Sequence, residues 1–137
     1  MTYDPAVRRR AACYLPLLVA AGLTGAGPAA AAPGQPGCAY TLAPPVLTQV
    51  SGTPMVTSTV TVAACNQSNS MLQVACLQVQ GSGAAPQCAS KEGPVAAEVF
   101  APYRPGATYV ASGRGCSTAE SPAISVCNSV GPVTVTL

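Results

Sequence analysis

The sequence has no histidine, no tryptophan, a single phenylalanine and few charges, with Asp, Glu, Lys and Arg together making up 7% of its residues. Without histidine, the usual general base for a Ser or Cys nucleophile is missing, so triad chemistry is not expected and no enzyme activity is assigned. The scarcity of large aromatics implies a lean core, and 137 residues accommodate one small domain rather than two. What is abundant points the other way from helices. Thirteen Gly and fourteen Pro interrupt any long helix, while the many Val and Thr residues favour strands. An all-β chain without internal repeats follows.

The N-terminal segment reads as a leader rather than as part of the fold. Arg8, Arg9 and Arg10 form a positive region, Ala11 to Leu23 is apolar, and Pro28-Ala29-Ala30-Ala31-Ala32-Pro33 offers the small residues a signal peptidase needs. The apolar run falls short of the ~20 residues of a spanning helix, which favours cleavage over an uncleaved anchor. Cleavage is expected before Ala32, with Pro33 as the alternative, and the residues after the Arg triplet favour the general secretory route over the twin-arginine route. Cys13 sits at the start of the apolar run, where it is no lipobox cysteine. The expected organisation is a signal peptide over residues 1–31, a flexible Pro/Gly lead-in over 32–37 and one domain over 38–137.

Removing the leader leaves Lys91, Arg104 and Arg114 against Glu92, Glu98 and Glu120, a neutral set of side chains. Nucleic-acid binding requires clustered cations, and acidic membrane surfaces require a polybasic patch; neither pattern is present, so neither partner is expected, nor is membrane insertion after cleavage.

Six cysteines remain: Cys38, Cys65, Cys76, Cys88, Cys116 and Cys127. An even number in a short exported chain reads as a disulfide framework. Metal binding is disfavoured, because the cysteines are ten or more residues apart and no histidine accompanies them. Six cysteines allow fifteen pairings, among which sequence does not choose. If the short intervals Cys76 to Cys88 and Cys116 to Cys127 are hairpins, their ends meet and Cys38 is left for Cys65. The expected location is secreted, or at the cell wall.

Strand signals recur along the chain. Ala39 to Leu42 and Val46 to Val50 flank Pro44-Pro45, which suits an interrupted edge strand. From Met55 to Cys65, Val56, Ser58, Val60, Val62 and Ala64 alternate with Thr57, Thr59, Thr61 and Ala63, a period of two that puts the valines inside. A polar turn at Asn66 to Ser70 leads into Met71 to Gln80, where Leu72, Val74 and Cys76 share a face. Gly81 to Pro94 reads as loop, Val95 to Phe100 and Thr108 to Cys116 as strands, and Ile124 to Cys127 with Val133 to Leu137 as the closing segments. About seven short strands favour a two-sheet sandwich. Asn66-Gln67-Ser68 matches a glycosylation acceptor, but its plain reading is a turn.

The stretch Phe100-x-x-Tyr103-x-Pro105-Gly106-x-x-Tyr109 resembles the sheet-to-sheet crossing of fibronectin type III domains. Pro105 fixes φ, Gly106 permits a conformation other residues avoid, and Tyr109 can bury its ring while its hydroxyl bonds backbone upstream. The resemblance implies an immunoglobulin-like, fibronectin type III-like sandwich with Pro105, Gly106 and Tyr109 as a structural corner. Where that family usually places a Trp on its second strand, this chain has Cys65 near the corresponding end, so that a disulfide stands in for the aromatic plug. Arg104 to Tyr109, continued through Cys116 to Cys127-Asn128, also resembles the disulfide hairpin of neocarzinostatin-type apoproteins, which implies a small-molecule carrier.

Three functional readings compete. The preferred one is a non-enzymatic binding domain that uses the segments Gly81 to Pro94 and Ser117 to Pro122 to engage a protein or envelope ligand. A carrier would show an apolar cleft between the sheets lined by residues such as Tyr103 and Phe100. A disulfide-rich protease inhibitor is the third. Glu92, Glu98 and Glu120 read as solvated surface carboxylates, and Gly81-Ser82-Gly83 opens a loop rather than a phosphate-binding turn. No cofactor and no metal are expected.

Overall fold

The structure is a computed structural model that describes residues 35–137. The expected signal peptide over 1–31, its cleavage site and the first part of the lead-in lie outside the described residues. Eight strands follow in order: β1 (Gly37–Leu42), β2 (Val46–Val50), β3 (Thr53–Asn66), β4 (Asn69–Val79), β5 (Gln87–Glu92), β6 (Ala97–Pro102), β7 (Thr108–Glu120) and β8 (Ala123–Thr136). Every pairing is antiparallel. They form a two-sheet sandwich, one sheet with β3 between β6 and the β1/β2 edge, the other ordered β5-β4-β7-β8.

Pro44-Pro45 divides the first edge into β1 and β2 for the reason proline always interrupts a ladder. The Ala43 N–H still donates to the Thr59 carbonyl at 2.9 Å, the two prolines then have no N–H to give, and pairing resumes with Val46 opposite Thr57. The Ser58 hydroxyl bridges the gap by donating to the Ala43 carbonyl at 2.6 Å. Counted as one interrupted edge, β1 and β2 reduce the sandwich to seven strands.

The alternation along β3 places Val56 and Val60 in the core, fully buried. It does not persist to Ala64. Ala39 pairs with Ala64 and Tyr40 with Val62, so Ala63 has no opposite residue, and beyond this bulge Ala64 is exposed while Cys65 stands opposite the buried Cys38. A second bulge at Met71 acts likewise in β4: Leu72, Val74 and Cys76 do share a face, but it is the outer one, and Gln73, Ala75 and Leu77 are buried. The closing segments are one strand rather than two, since Gly131 and Pro132 form a bulge opposite the Ala111–Gly113 step and β8 continues beyond it. The stretch Gly81 to Pro94 is only partly loop: Gln87–Glu92 is β5, an exposed edge whose polar residues hide it from any hydrophobic pattern.

Two tyrosines fill the space that larger aromatics would occupy. Tyr40 and Tyr109 are fully buried in a core cluster with Val56, Val60, Leu77, Val99 and Val130. The sheets approach closely enough that a Cβ on Gly115 would lie 2.2–2.3 Å from Tyr40 ring atoms, and one on Gly113 2.3 Å from Val60. Small residues at these positions are therefore a packing requirement.

Candidate functional site

The chain directions place parts of the two segments expected to engage a ligand at different ends of the sandwich. β4 ends at Val79, opposite Tyr109 near the start of β7, so the loop Gln80 to Pro86 sits at one end of the sandwich. The β7–β8 turn follows Glu120 at the far end of β7, roughly 35–40 Å away at ~3.4 Å per extended residue. Ser117 to Glu120 also belong to β7 itself, leaving Ser121-Pro122 as the turn. Gly81 to Pro86 and Ser121-Pro122 thus stand at opposite ends, whereas Gly93-Pro94, beyond β5, returns toward the β7–β8 end, where the Gly93 N–H donates to the Met71 carbonyl at 2.9 Å.

At the far end, called the tip, the β3–β4 turn and the β7–β8 turn face each other across an open groove of about 570 Å³ lined by Gln67, Ser68, Asn69, Ala119, Glu120 and Ser121. Gln67 has φ +48°, an αL conformation that lets β3 turn into β4 within two residues. Both turns are buttressed covalently. Cys65, next to Asn66, is bonded to Cys38, and the strands leading into the other turn are joined by Cys116–Cys127. Asn66 Nδ2 donates to the Gln35 carbonyl at 3.2 Å, and Asn128 Nδ2 donates to the Cys38 carbonyl at 3.0 Å, tying β8 to β1 across the sheets. The groove lining is amide, hydroxyl and one carboxylate.

The third disulfide, Cys76–Cys88, joins β4 to β5. All three cross-links connect residues directly opposite each other on neighbouring strands, with Cα separations of 4.0–4.1 Å. None runs from one sheet to the other.

At the other end stands the corner formed by Pro105, Gly106 and Tyr109. Arg104-Pro105-Gly106-Ala107 is a tight turn: the Ala107 N–H donates to the Arg104 carbonyl at 3.1 Å, with Pro at the second position and Gly106 at φ +75° in the third. The buried Tyr109 hydroxyl accepts the Arg104 N–H and donates to the Pro102 carbonyl, both at 2.8 Å. Arg104 is thus fixed at both its N–H and its carbonyl. Beside it, between β4 and β6, opens a small cavity of about 120 Å³ whose lining includes Leu77, Val79, Ala101 and Arg104. Tyr103 packs half-buried against the core, and neither it nor Phe100 lines this cavity. Phe100 is opposite Thr57 on the outer face of its sheet, because Val99 and Ala101 take the inward positions of β6.

Comparison with known proteins finds no match to any family model, any curated protein or any solved structure. The chemistry must therefore be read from this chain alone. The three side-chain carboxylates of the described residues are dispersed: Glu92 ends β5, Glu98 accepts a hydrogen bond from the Thr57 hydroxyl on the neighbouring strand β3 at 3.1 Å, and Glu120 borders the tip groove. Among the described residues, no group of three or more His, Cys, Asp or Glu is placed to hold a metal.

One polar cluster escapes sequence reasoning altogether. Gln73 is fully buried, its Nε2 donates to Ser70 Oγ, and Ser70 Oγ is 3.3 Å from the Tyr40 hydroxyl. Gln73 Oε1 has no hydrogen-bond partner in the structure. The bulge at Met71 is what turns Gln73 inward, and no local pattern announces it.

Proposed function

We propose that this chain is an exported, non-enzymatic binding domain that presents its tip groove to a protein or envelope ligand. The observation that carries the reading is the pairing of two short turns, each backed by a disulfide, around an open polar groove. A rim held in this way loses little conformational freedom on binding, which is how a small domain gains affinity from few contacts. Three intramolecular disulfides suit an oxidising compartment, in keeping with secretion. The strand pairing, with β1/β2, β3 and β6 against β5, β4, β7 and β8, together with the Tyr109 corner, supports the immunoglobulin-like, fibronectin type III-like reading of the sandwich. A carrier of drug-sized molecules is disfavoured, because such sites run to ~300–1,000 Å³ and the inter-sheet cavity holds about 120 Å³.

The groove favours an uncharged, hydrogen-bonding surface over a nucleic acid or a lipid bilayer, since its one charged group is Glu120. The test is capture from culture filtrate and envelope extract on the oxidised domain, run beside Ser68→Trp and Glu120→Arg at the tip and Thr134→Lys on the exposed face of β8. Loss of the captured species with the tip variants alone supports the reading. Equal capture by all of them overturns it.

A further inference from the structure

We infer that the small cavity at the opposite end is a second binding site, independent of the tip, that takes the C-terminal residue of an extended peptide: an apolar side chain in the cavity and the terminal carboxylate on Arg104. The floor is made of core residues, with Leu77 1% and Ala101 5% exposed, so the cavity opens directly onto apolar packing. Its volume of about 120 Å³, somewhat below the ~150 Å³ of an apolar cavity that holds benzene, suits one aliphatic side chain.

The rim is built rather than slack. The Ser82 hydroxyl donates to the Val79 carbonyl at 2.9 Å, the Ala84 N–H donates to Ser82 Oγ at 3.3 Å, and Gln78 Nε2 donates to the Ala84 carbonyl at 3.2 Å. The Gln80 N–H donates to the Thr108 carbonyl at 2.8 Å, joining this loop to the start of β7. Gly81 and Gly83, at φ +76° and +68°, allow the loop to fold over the opening. Facing it, the Tyr109 hydroxyl and the Arg104–Ala107 turn hold the Arg104 backbone, which fixes the root of the cationic side chain at the rim.

Charge and topology specify the occupant. Arg104 is the one charged side chain of the lining, while Glu92 and Glu120 lie toward the tip and Glu98 sits near the start of β6. An apolar group with a carboxylate beside it complements this arrangement, and a guanidinium binds a carboxylate through two parallel hydrogen bonds. A chain end is favoured over a free acid because β5 and β6 flank the cavity as edge strands, each paired on one side only. A peptide running antiparallel to β5 brings its C-terminus toward Gln87 and the cavity while its backbone pairs with the strand edge.

The experiment uses the full chain produced through an oxidising compartment and 15N-labelled. It is titrated with N-acetyl-Gly-Gly-Leu as the free acid, the same tripeptide as the C-terminal amide, and isovalerate. Saturable amide shifts at Leu77, Val79, Ala101 and Arg104 are expected with the acid, and binding about tenfold weaker with the amide. Arg104→Gln should weaken the acid by a similar factor, Arg104→Lys should restore part of it, and Ala84→Trp should block the opening while leaving the spectrum folded. The proposal is overturned if acid and amide bind alike, if Arg104→Gln binds as the parent does, if no saturable shift appears at the cavity, or if isovalerate binds as tightly as the tripeptide.

Discussion

The margins of this sandwich and its middle are held by different forces. Three of the four sheet margins are cross-linked to their inner neighbours, β1 to β3, β5 to β4 and β8 to β7, whereas β6 relies on its ladder with β3, on the burial of Ala97, Val99 and Ala101, and on the Thr57 hydroxyl, which donates to the Val99 carbonyl at 3.0 Å. Between the sheets there is no covalent link at all. There the contact depends on Tyr40 over Gly115, on Val60 against Gly113, and on the Asn128 bond to β1. A chain with one Phe and no Trp thus uses cross-links to fix its strand edges and leaves face-to-face packing to two tyrosines and the glycines that admit them. Edge strands are where a small sheet frays or aggregates, so that is where a covalent restraint changes most.

The contrast can be broken from either side. The largest effect is expected at the margin: replacing Cys38 and Cys65 by Ala should cost about 3–4 kcal/mol, because this bond closes the longest loop, against about 2–3 kcal/mol for Cys116 with Cys127. Denaturant unfolding of the two double variants measures the difference. Equal losses would show that loop length is not what these bonds act through. In the middle, Gly115→Ala should cost about 3 kcal/mol by driving a methyl into the Tyr40 ring, measured in the same way with all three disulfides intact. A mild loss there would mean that the sheets can separate slightly without penalty.

Smaller effects sharpen the picture. Tyr109→Phe keeps the buried ring but leaves the Arg104 N–H and the Pro102 carbonyl without their partner, and should cost about 1–2 kcal/mol. Gln73→Met should change stability by less than about 1 kcal/mol, because it removes one hydrogen bond together with an amide oxygen that has no partner. A larger loss would show that the Tyr40–Ser70–Gln73 cluster holds the sheets together, and would weaken the distinction drawn above.

Much of this architecture is visible in the residues themselves. The Val/Thr alternation marks β3, Pro44-Pro45 marks a broken edge, and Arg104-Pro105-Gly106-Ala107 marks a turn, because in each case the physics is local: a period, a missing N–H, a positive φ. The bulges at Ala63, at Met71 and at Gly131-Pro132 are not local. Each is defined by what the partner strand does, and each changes which residues face inward, which is why Ala64 and Gln73 exchange the roles their neighbours suggest. Strand β5 is hidden for a related reason: an edge exposed on nearly all positions carries no alternation to read. The proposed binding surface is legible in the sequence only as separate turns. That Gly81 to Pro86 and Ser121-Pro122 occupy opposite ends follows from strand direction, which no single segment encodes.

The placement of every cross-link between directly facing residues has a consequence for how the chain matures. A strand that slides by two positions carries its cysteine about 7 Å away from its partner, beyond bonding reach. Each closed bond is therefore compatible with only one register of its strand pair, and the disulfide isomers trapped during oxidative folding report which hairpins are held in their final alignment.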